Sequence, residues 1–279
     1  MKFFSLFLLS FFLFLSCDKI EEPYIKKPTN DNGNNNGKTI IKKVFIEDYT
    51  GHRCGNCPRA HETIDSISNL YKGRVVSIAI HSGYYSEPFP AQGYNADFRT
   101  SVGNELTSYF GCVAYPSGII NRVKVNNYYF LTYQSWLENV AIQLDKEPMM
   151  GISIDNNYNE STRLLTTTCN ITFVKAMDTQ QYLSVFIIED SIVSPQTDYS
   201  LSPTKVENYV HKHMLRGSMN GTFGTALPQT VYNIGDTTSM TFTSTLNSNW
   251  NHTKSSVVAF IHCSISEEVF QVEEKKIVD

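Results

Sequence analysis

The sequence carries no excess of positive charge: 23 Lys and Arg stand against 27 Asp and Glu, a formal net charge of −4 over 279 residues. No basic cluster or Arg/Lys stripe offers phosphate contacts, which argues against nucleic acid as a partner. No apolar run is long enough to cross a bilayer. The longest, "FFSLFLLSFFLFLS", is fourteen residues, short of the roughly 20 that a spanning helix needs. There is no internal repeat, which sets aside solenoids and propellers. Between residues 18 and 38, "DKIEEPYIKKPTNDNGNNNGK", almost nothing is apolar. Such a stretch cannot bury enough surface to offset its ordering entropy and reads as a flexible tether.

What is present begins with a leader. Lys2 forms a minimal positive region ahead of the apolar run, the pattern of a signal peptide over residues 1–16. The run ends at Cys17 in "FLSCDK", which resembles a bacterial lipobox with Leu15 and Ser16 ahead of a lipidated cysteine. Phe14 stands where that motif usually has leucine. The expected location is the outer membrane, lipid-anchored through Cys17 and facing the periplasm or the cell surface. The acidic "DKIEE" is similar to a surface-export signal, and it also fits an ordinary solvated linker.

The remaining chain divides in character near residue 148. Over 39–147, "TIIKKVFIEDYT" reads as a buried strand and "RVVSIAIHSG" as a second. Between them Ala60, Ile64, Ile67 and Tyr71 recur at helical spacing, with Pro58 in the first turn, where its missing N–H costs nothing. A Tyr/Pro/Gly-rich loop, "YYSEPFPAQGYNADF", precedes a short helix and a third strand at 116–125. Trp136, Val140 and Leu144 mark a closing helix. Strand, helix, strand, helix, strand, helix is an α/β layout. Over 148–279 strand candidates follow one another without a convincing long helix, as in an all-β sandwich of immunoglobulin-like type.

Six cysteines need sorting. Cys17 is assigned to lipid. Cys169 and Cys263 lie in expected strands, where they could pair or simply fill space as small hydrophobes. Cys54 and Cys57, in "YTGHRCGNCPRAHETI", have the C-x-x-C spacing that closes a small disulfide ring. At a helix start Cys54 should be exposed and Cys57 turned inward, with free N–H groups and the helix dipole favouring a Cys54 thiolate. The same stretch offers a zinc alternative, since His52, Cys54, Cys57 and His61 are four ligands of the right kind. Covalent haem is excluded because Pro58 occupies the position where C-x-x-C-H requires histidine. His211 and His213 alternate, so on a strand they would share a face and could chelate a metal. No resident cofactor or metal is expected.

The C-x-x-C between a strand and a helix resembles the thioredoxin superfamily over about residues 40–147. That resemblance implies a thioredoxin-like α/β domain followed by the β-sandwich. It assigns Asp48, six residues before Cys54, to a buried proton shuttle, and makes Tyr115–Pro116 in "FGCVAYPSGI" the cis-proline element that aligns substrate. Cys112 then falls on a buried flank. Arg53 replaces the usual tryptophan, either stabilising a Cys54 thiolate or standing as a solvated charge. Asn56 replaces the usual proline and leaves the potential open. Farther along, "ENYVHKHMLRGSMNGTFG" and "VVAFIHCSISEEVFQVEE", with the lipobox and "AYPSGIINR", resemble the twenty-eight-kilodalton outer-membrane protein family of Bacteroidota, thioredoxin-like lipoproteins. Two functions follow from these readings. One is thiol–disulfide exchange on extracytoplasmic protein thiols or disulfides. The other is a non-enzymatic accessory lipoprotein that contacts an envelope partner.

Overall fold

The computed structural model describes residues 39–278. The expected signal peptide, Cys17 and the tether lie outside them. The first half runs β1 (Val44–Thr50), α1 (Cys57–Leu70), β2 (Val75–His81), α2 (Ser101–Phe110), β3 (Ser117–Ile120) and α3 (Trp136–Leu144). The second half is strands: β4 (Met150–Asn159), β5 (Leu164–Phe173), β6 (Gln181–Glu189), β7 (Ile192–Thr197), β8 (Lys205–His211), β9 (Met214–Ser218), β10 (Thr225–Ala226), β11 (Thr237–Thr245), β12 (Ser255–Cys263) and β13 (Val269–Lys276). The fold is therefore mostly β, with three α-helices among the described residues. No helix among them is long and apolar enough to cross a membrane.

Strands from both halves share one mixed sheet in the order β13-β12-β6-β9-β2-β1-β3, with β10 added on β6. The join is β9, antiparallel to β6 and touching β2 in parallel at Ala79↔Met214. The residues from Ile40 onward accordingly form one compact unit. A strand covered on both faces must be apolar almost throughout, and β1 is buried at every position. Its Val44 and Ile46 face Ala60, Ile64 and Ile67 of α1 and Trp136 and Val140 of α3. Its Phe45 and Tyr49 face the other way, into a cluster with Leu106 of α2 and Phe260 of β12. Phe45 stacks on Phe260 with ring centroids 4.6 Å apart.

The one charge on the inner face of β1 that is matched is Glu47. Arg122 grips it with two hydrogen bonds of 2.8 and 2.9 Å, and both side chains are fully buried. The guanidinium also lies between the rings of Phe110 and Phe260, 5.0 and 4.9 Å from their centroids. A buried charge is tolerable only when paired in this way.

A separate three-stranded sheet, β11-β5-β4, packs against the outer face of β6 and β12. Alternation dictates this, because Leu165, Cys169, Ile171 and Phe173 of β5 turn inward against Leu183, Val185, Val257 and Ala259. Cys169 and Cys263 are buried free thiols and not a disulfide, so they belong to the packing. The remaining ribbon, β7 with β8, pairs with no other strand among the described residues. Pro195 sits in it at a bulge between Ser194 and Gln196, where its lack of an N–H breaks no ladder.

Candidate functional site: a covered disulfide at the start of α1

Strand β1 and helix α1 meet at the C-x-x-C turn, and Cys54 and Cys57 are joined as a disulfide. Cys57 is the first residue of α1, with Pro58 behind it. Gly51 is required here, since a Cβ would lie 2.7 Å from the Tyr85 backbone. Strand β3 runs antiparallel to β1 with Tyr49 opposite Ser117. That register carries Pro116 to the level of Thr50, beside the turn, and the Tyr115–Pro116 peptide is cis. The Tyr115 hydroxyl is held by Ser82 Oγ at 3.0 Å.

The expectation of an exposed Cys54 is corrected: it is only 3% exposed, and Cys57 is fully buried. The cover comes from two directions. On one side the Tyr-rich loop accepts the Arg53 N–H at the Tyr85 carbonyl, at 3.0 Å. On the other lies the β7–β8 hairpin. Its Thr197 and Tyr199 N–H groups donate to the carbonyls of His52 and Gly55, both at 2.9 Å. Gln196 Nε2 donates to the Cys54 carbonyl at 3.0 Å. Arg59 of α1 reaches Asp198 at 2.9 Å.

Arg53 packs against the Tyr-rich loop. Its guanidinium lies over the Tyr84 ring, 4.4 Å from the centroid, and donates to the Tyr84 carbonyl. Together with Phe89, Tyr94, Tyr199 and Lys205 it lines a groove of about 530 Å³ beside the turn.

Asp48 is fully buried, and neither carboxylate oxygen has a hydrogen-bond partner among the described residues. His61 Nε2 stands 3.4 Å from Asp48 Oδ2 and 3.0 Å from Thr50 Oγ1. His61 Nδ1 lies 2.7 Å from the Tyr209 hydroxyl of β8. Burial, followed by the nearby Asp48 carboxylate, pushes the ionisation of Tyr209 well up, so the phenol keeps its proton. Cys112, half-buried behind the cis peptide, is pushed by burial up to about 11.

The zinc set does not assemble. His52 Nε2 contacts the Glu87 carbonyl at 3.0 Å, His61 is engaged as described, and both sulfurs are in the disulfide. Among the described residues no group of three or more His, Cys, Asp and Glu is placed to hold a metal ion. His211 and His213 do not share a strand face, because β8 ends at His211 and His213 lies in the following turn with φ +52°. His211 instead packs edge to face with His81, centroids 5.5 Å apart, beneath the hairpin. Burial lowers both imidazoles, His211 to about 3 and His81 well below the ordinary value.

Sequence reasoning missed Gln196, Asp198, Tyr199 and Tyr209, all on the hairpin. The β-branched and aromatic Val206, Tyr209 and Val210 in "KVENYVH" were a signal for β8, while Pro195 and Pro203 hid the ribbon's extent. It also weighed His61 only as a metal ligand.

Among solved structures, the chain shares its fold with HBP35 of Porphyromonas gingivalis. The TM-score is 0.66 at 16% identity, over 86% of this chain and 76% of that one. A crystal structure from Agrobacterium tumefaciens matches with a TM-score of 0.54 at 13% identity, over 87% and 97%. A domain of the outer membrane lipoprotein Omp28 from Porphyromonas gingivalis matches at 18% identity with a TM-score of 0.32, over 47% and 90%. No curated protein matches the sequence. The family model of the outer membrane protein Omp28 matches residues 103–279, a span that holds Tyr115–Pro116 and the hairpin and begins after the C-x-x-C. The chain belongs to the Omp28 outer membrane protein family, and its place is the outer membrane.

Proposed function

We propose that this outer-membrane protein carries out thiol–disulfide exchange on extracytoplasmic proteins through Cys54 and Cys57, from a thioredoxin-like unit joined to an immunoglobulin-like sandwich and tethered by lipid on Cys17. One observation carries the reading. A disulfide opens α1 while the neighbouring strands bring a buried Asp48 and a cis Tyr115–Pro116 to the same turn.

In the reducing direction the Cys54 thiolate attacks one sulfur of a substrate disulfide, and the other substrate sulfur leaves as a thiolate. Asp48 takes the Cys57 proton. The Cys57 thiolate then attacks Cys54 Sγ and expels the second substrate thiolate. Two electrons pass from the cysteine pair to the substrate. Run backwards, the same steps oxidise a substrate dithiol. Pro116 and Tyr115 present backbone to the substrate strand beside the turn.

The test is turnover of the full chain in detergent. It should accelerate the reduction of insulin disulfides by dithiothreitol, Cys54→Ser should abolish this, and Cys57→Ser should accumulate a mixed disulfide. No acceleration by the wild-type chain sinks the reading. The deep cover on Cys54 and the aromatic groove with Arg53 and Lys205 favour a second reading, a binding scaffold for an envelope partner that keeps its disulfide closed.

A further inference from the structure

Strand alternation puts Asp48 and Thr50 on the same face of β1, and helical spacing puts Cys57 and His61 on the same face of α1, one turn apart. These two faces meet. Val44 and Ile46 of the same β1 face pack against Ala60, Ile64 and Ile67. The meeting leaves a carboxylate sealed from solvent, yet within 3.4 Å of an imidazole that is itself 19% exposed.

We propose that His61 is a positioning residue for exchange at Cys54–Cys57, passing the Cys57 proton between sealed Asp48 and solvent, with Tyr209 of the hairpin holding its ring. The inference rests on the exchange reading above.

The proton path balances. When Cys57 is deprotonated for its attack, the proton goes to an Asp48 oxygen. Asp48 has no hydrogen-bond partner through which to lose it. His61 Nε2, which contacts Thr50 Oγ1 at 3.0 Å, is the ring nitrogen facing Asp48. It accepts the proton while Nδ1–H donates to the Tyr209 oxygen, and the imidazolium, in a side chain 19% exposed, returns the Nε2 proton to water or buffer. In the oxidising direction, where Cys57 leaves as a thiolate, the flow reverses.

A hydroxyl both donates and accepts, so Tyr209 holds Nδ1 whether or not that nitrogen carries hydrogen. Burial and the surrounding carboxylates keep the phenol protonated, and with Nδ1–H donating to its oxygen, Nε2 is the nitrogen left to accept a proton. The groups around His61 are Asp48 from β1, Glu62 and Asp65 from α1 with Lys212 on Asp65, Tyr209 and His211 from β8, and His81 from β2. The ion pair of Arg59 with Asp198 closes the side toward the hairpin tip.

The experiment separates the two sulfur steps. The full chain, reduced and in detergent, is mixed rapidly with a chromogenic aromatic disulfide. Attack by Cys54 releases one coloured thiolate, and resolution by Cys57 releases the second. His61→Gln should leave the first phase unchanged and slow the second by about tenfold or more near neutrality, somewhat below the usual gain from direct acid–base catalysis. It should also flatten the pH dependence of the second phase. Tyr209→Phe should slow the second phase less. Free imidazole should restore it in His61→Ala, a recovery that a purely structural role would not give. A second phase in His61→Gln matching wild type at every pH overturns the proposal and leaves the exchange reading standing. A wild-type chain with no second phase overturns both.

Discussion

The Tyr199 ring lies flat on Gly55, so close that a Cβ at Gly55 would fall 2.4 Å from ring carbons. The glycine between the two cysteines is thus the seat of the hairpin's tip, and Tyr199 is itself 64% exposed. A side chain held from one side only can be lifted without disturbing a core. The disulfide is closed off by this two-stranded ribbon on one side and by the Tyr-rich loop on the other.

Opening that cover should speed access to the disulfide. The combined change Tyr199→Ala with Asp198→Ala removes the ring contact and the pair with Arg59. Together these are worth about 1 kcal/mol or somewhat more, so reduction by dithiothreitol should quicken by about fivefold to tenfold. Stopped-flow reduction followed by thiol labelling reads it. An unchanged rate would mean that the hairpin is not what limits access.

The buried pair Glu47–Arg122 should behave asymmetrically. Arg122→Met leaves the Glu47 carboxylate charged and unpaired between β1 and its neighbours, at a cost of about 3–5 kcal/mol. Replacing both with apolar residues should recover much of that loss. Urea unfolding of the single and double variants checks this, and equal losses in both would contradict it.

Acid should destabilise the fold through its buried histidines. His211 and His262 are lowered from 6.5 to about 3 by burial, and His81 is lowered well below its ordinary value by burial and then by His211. Unfolded, these rings take up protons near 6.5; folded, they do not until far lower pH. Stability is therefore full above about 6.5 and falls as pH drops from there toward about 3. His211→Phe should flatten the decline, read as the unfolding midpoint against pH. A decline as steep as wild type would show that His211 does not drive it.

Gly118 should tolerate no side chain. A Cβ there would meet the Trp136 ring at 2.3 Å, and the strand that carries it also sets the level of Pro116. Gly118→Ala should cost about 1–3 kcal/mol of stability. It should also slow exchange more than the stability loss explains, read by comparing turnover at matched folded fraction.

Much of this was legible in the chain. The helical spacing of Ala60, Ile64 and Ile67 and the continuous apolar runs of β1 and β2 follow from local periodicity, and the alternation of β5 places its core face. The C-x-x-C announced a sulfur centre, and Asp48 and Pro116 were named through resemblance to a known pattern. What escaped was long-range. No local signal says that β9 bonds to both β6 and β2, or that Tyr199, some 140 positions downstream by numbering, would sit on Gly55. Cys54 was expected to be exposed because the turn alone exposes it, and the Tyr-rich loop and the distant hairpin together bury it. His61 was weighed only as an alternative zinc ligand, because its partner Tyr209 comes from another part of the chain.

The most direct measurement is the reduction potential of the Cys54–Cys57 pair in the full chain, poised in graded thiol buffers and read by mass spectrometry. Exchange predicts a reversible couple between about −120 and −270 mV, the range of working exchange proteins. A disulfide that stays closed below about −300 mV would be structural and would contradict the account.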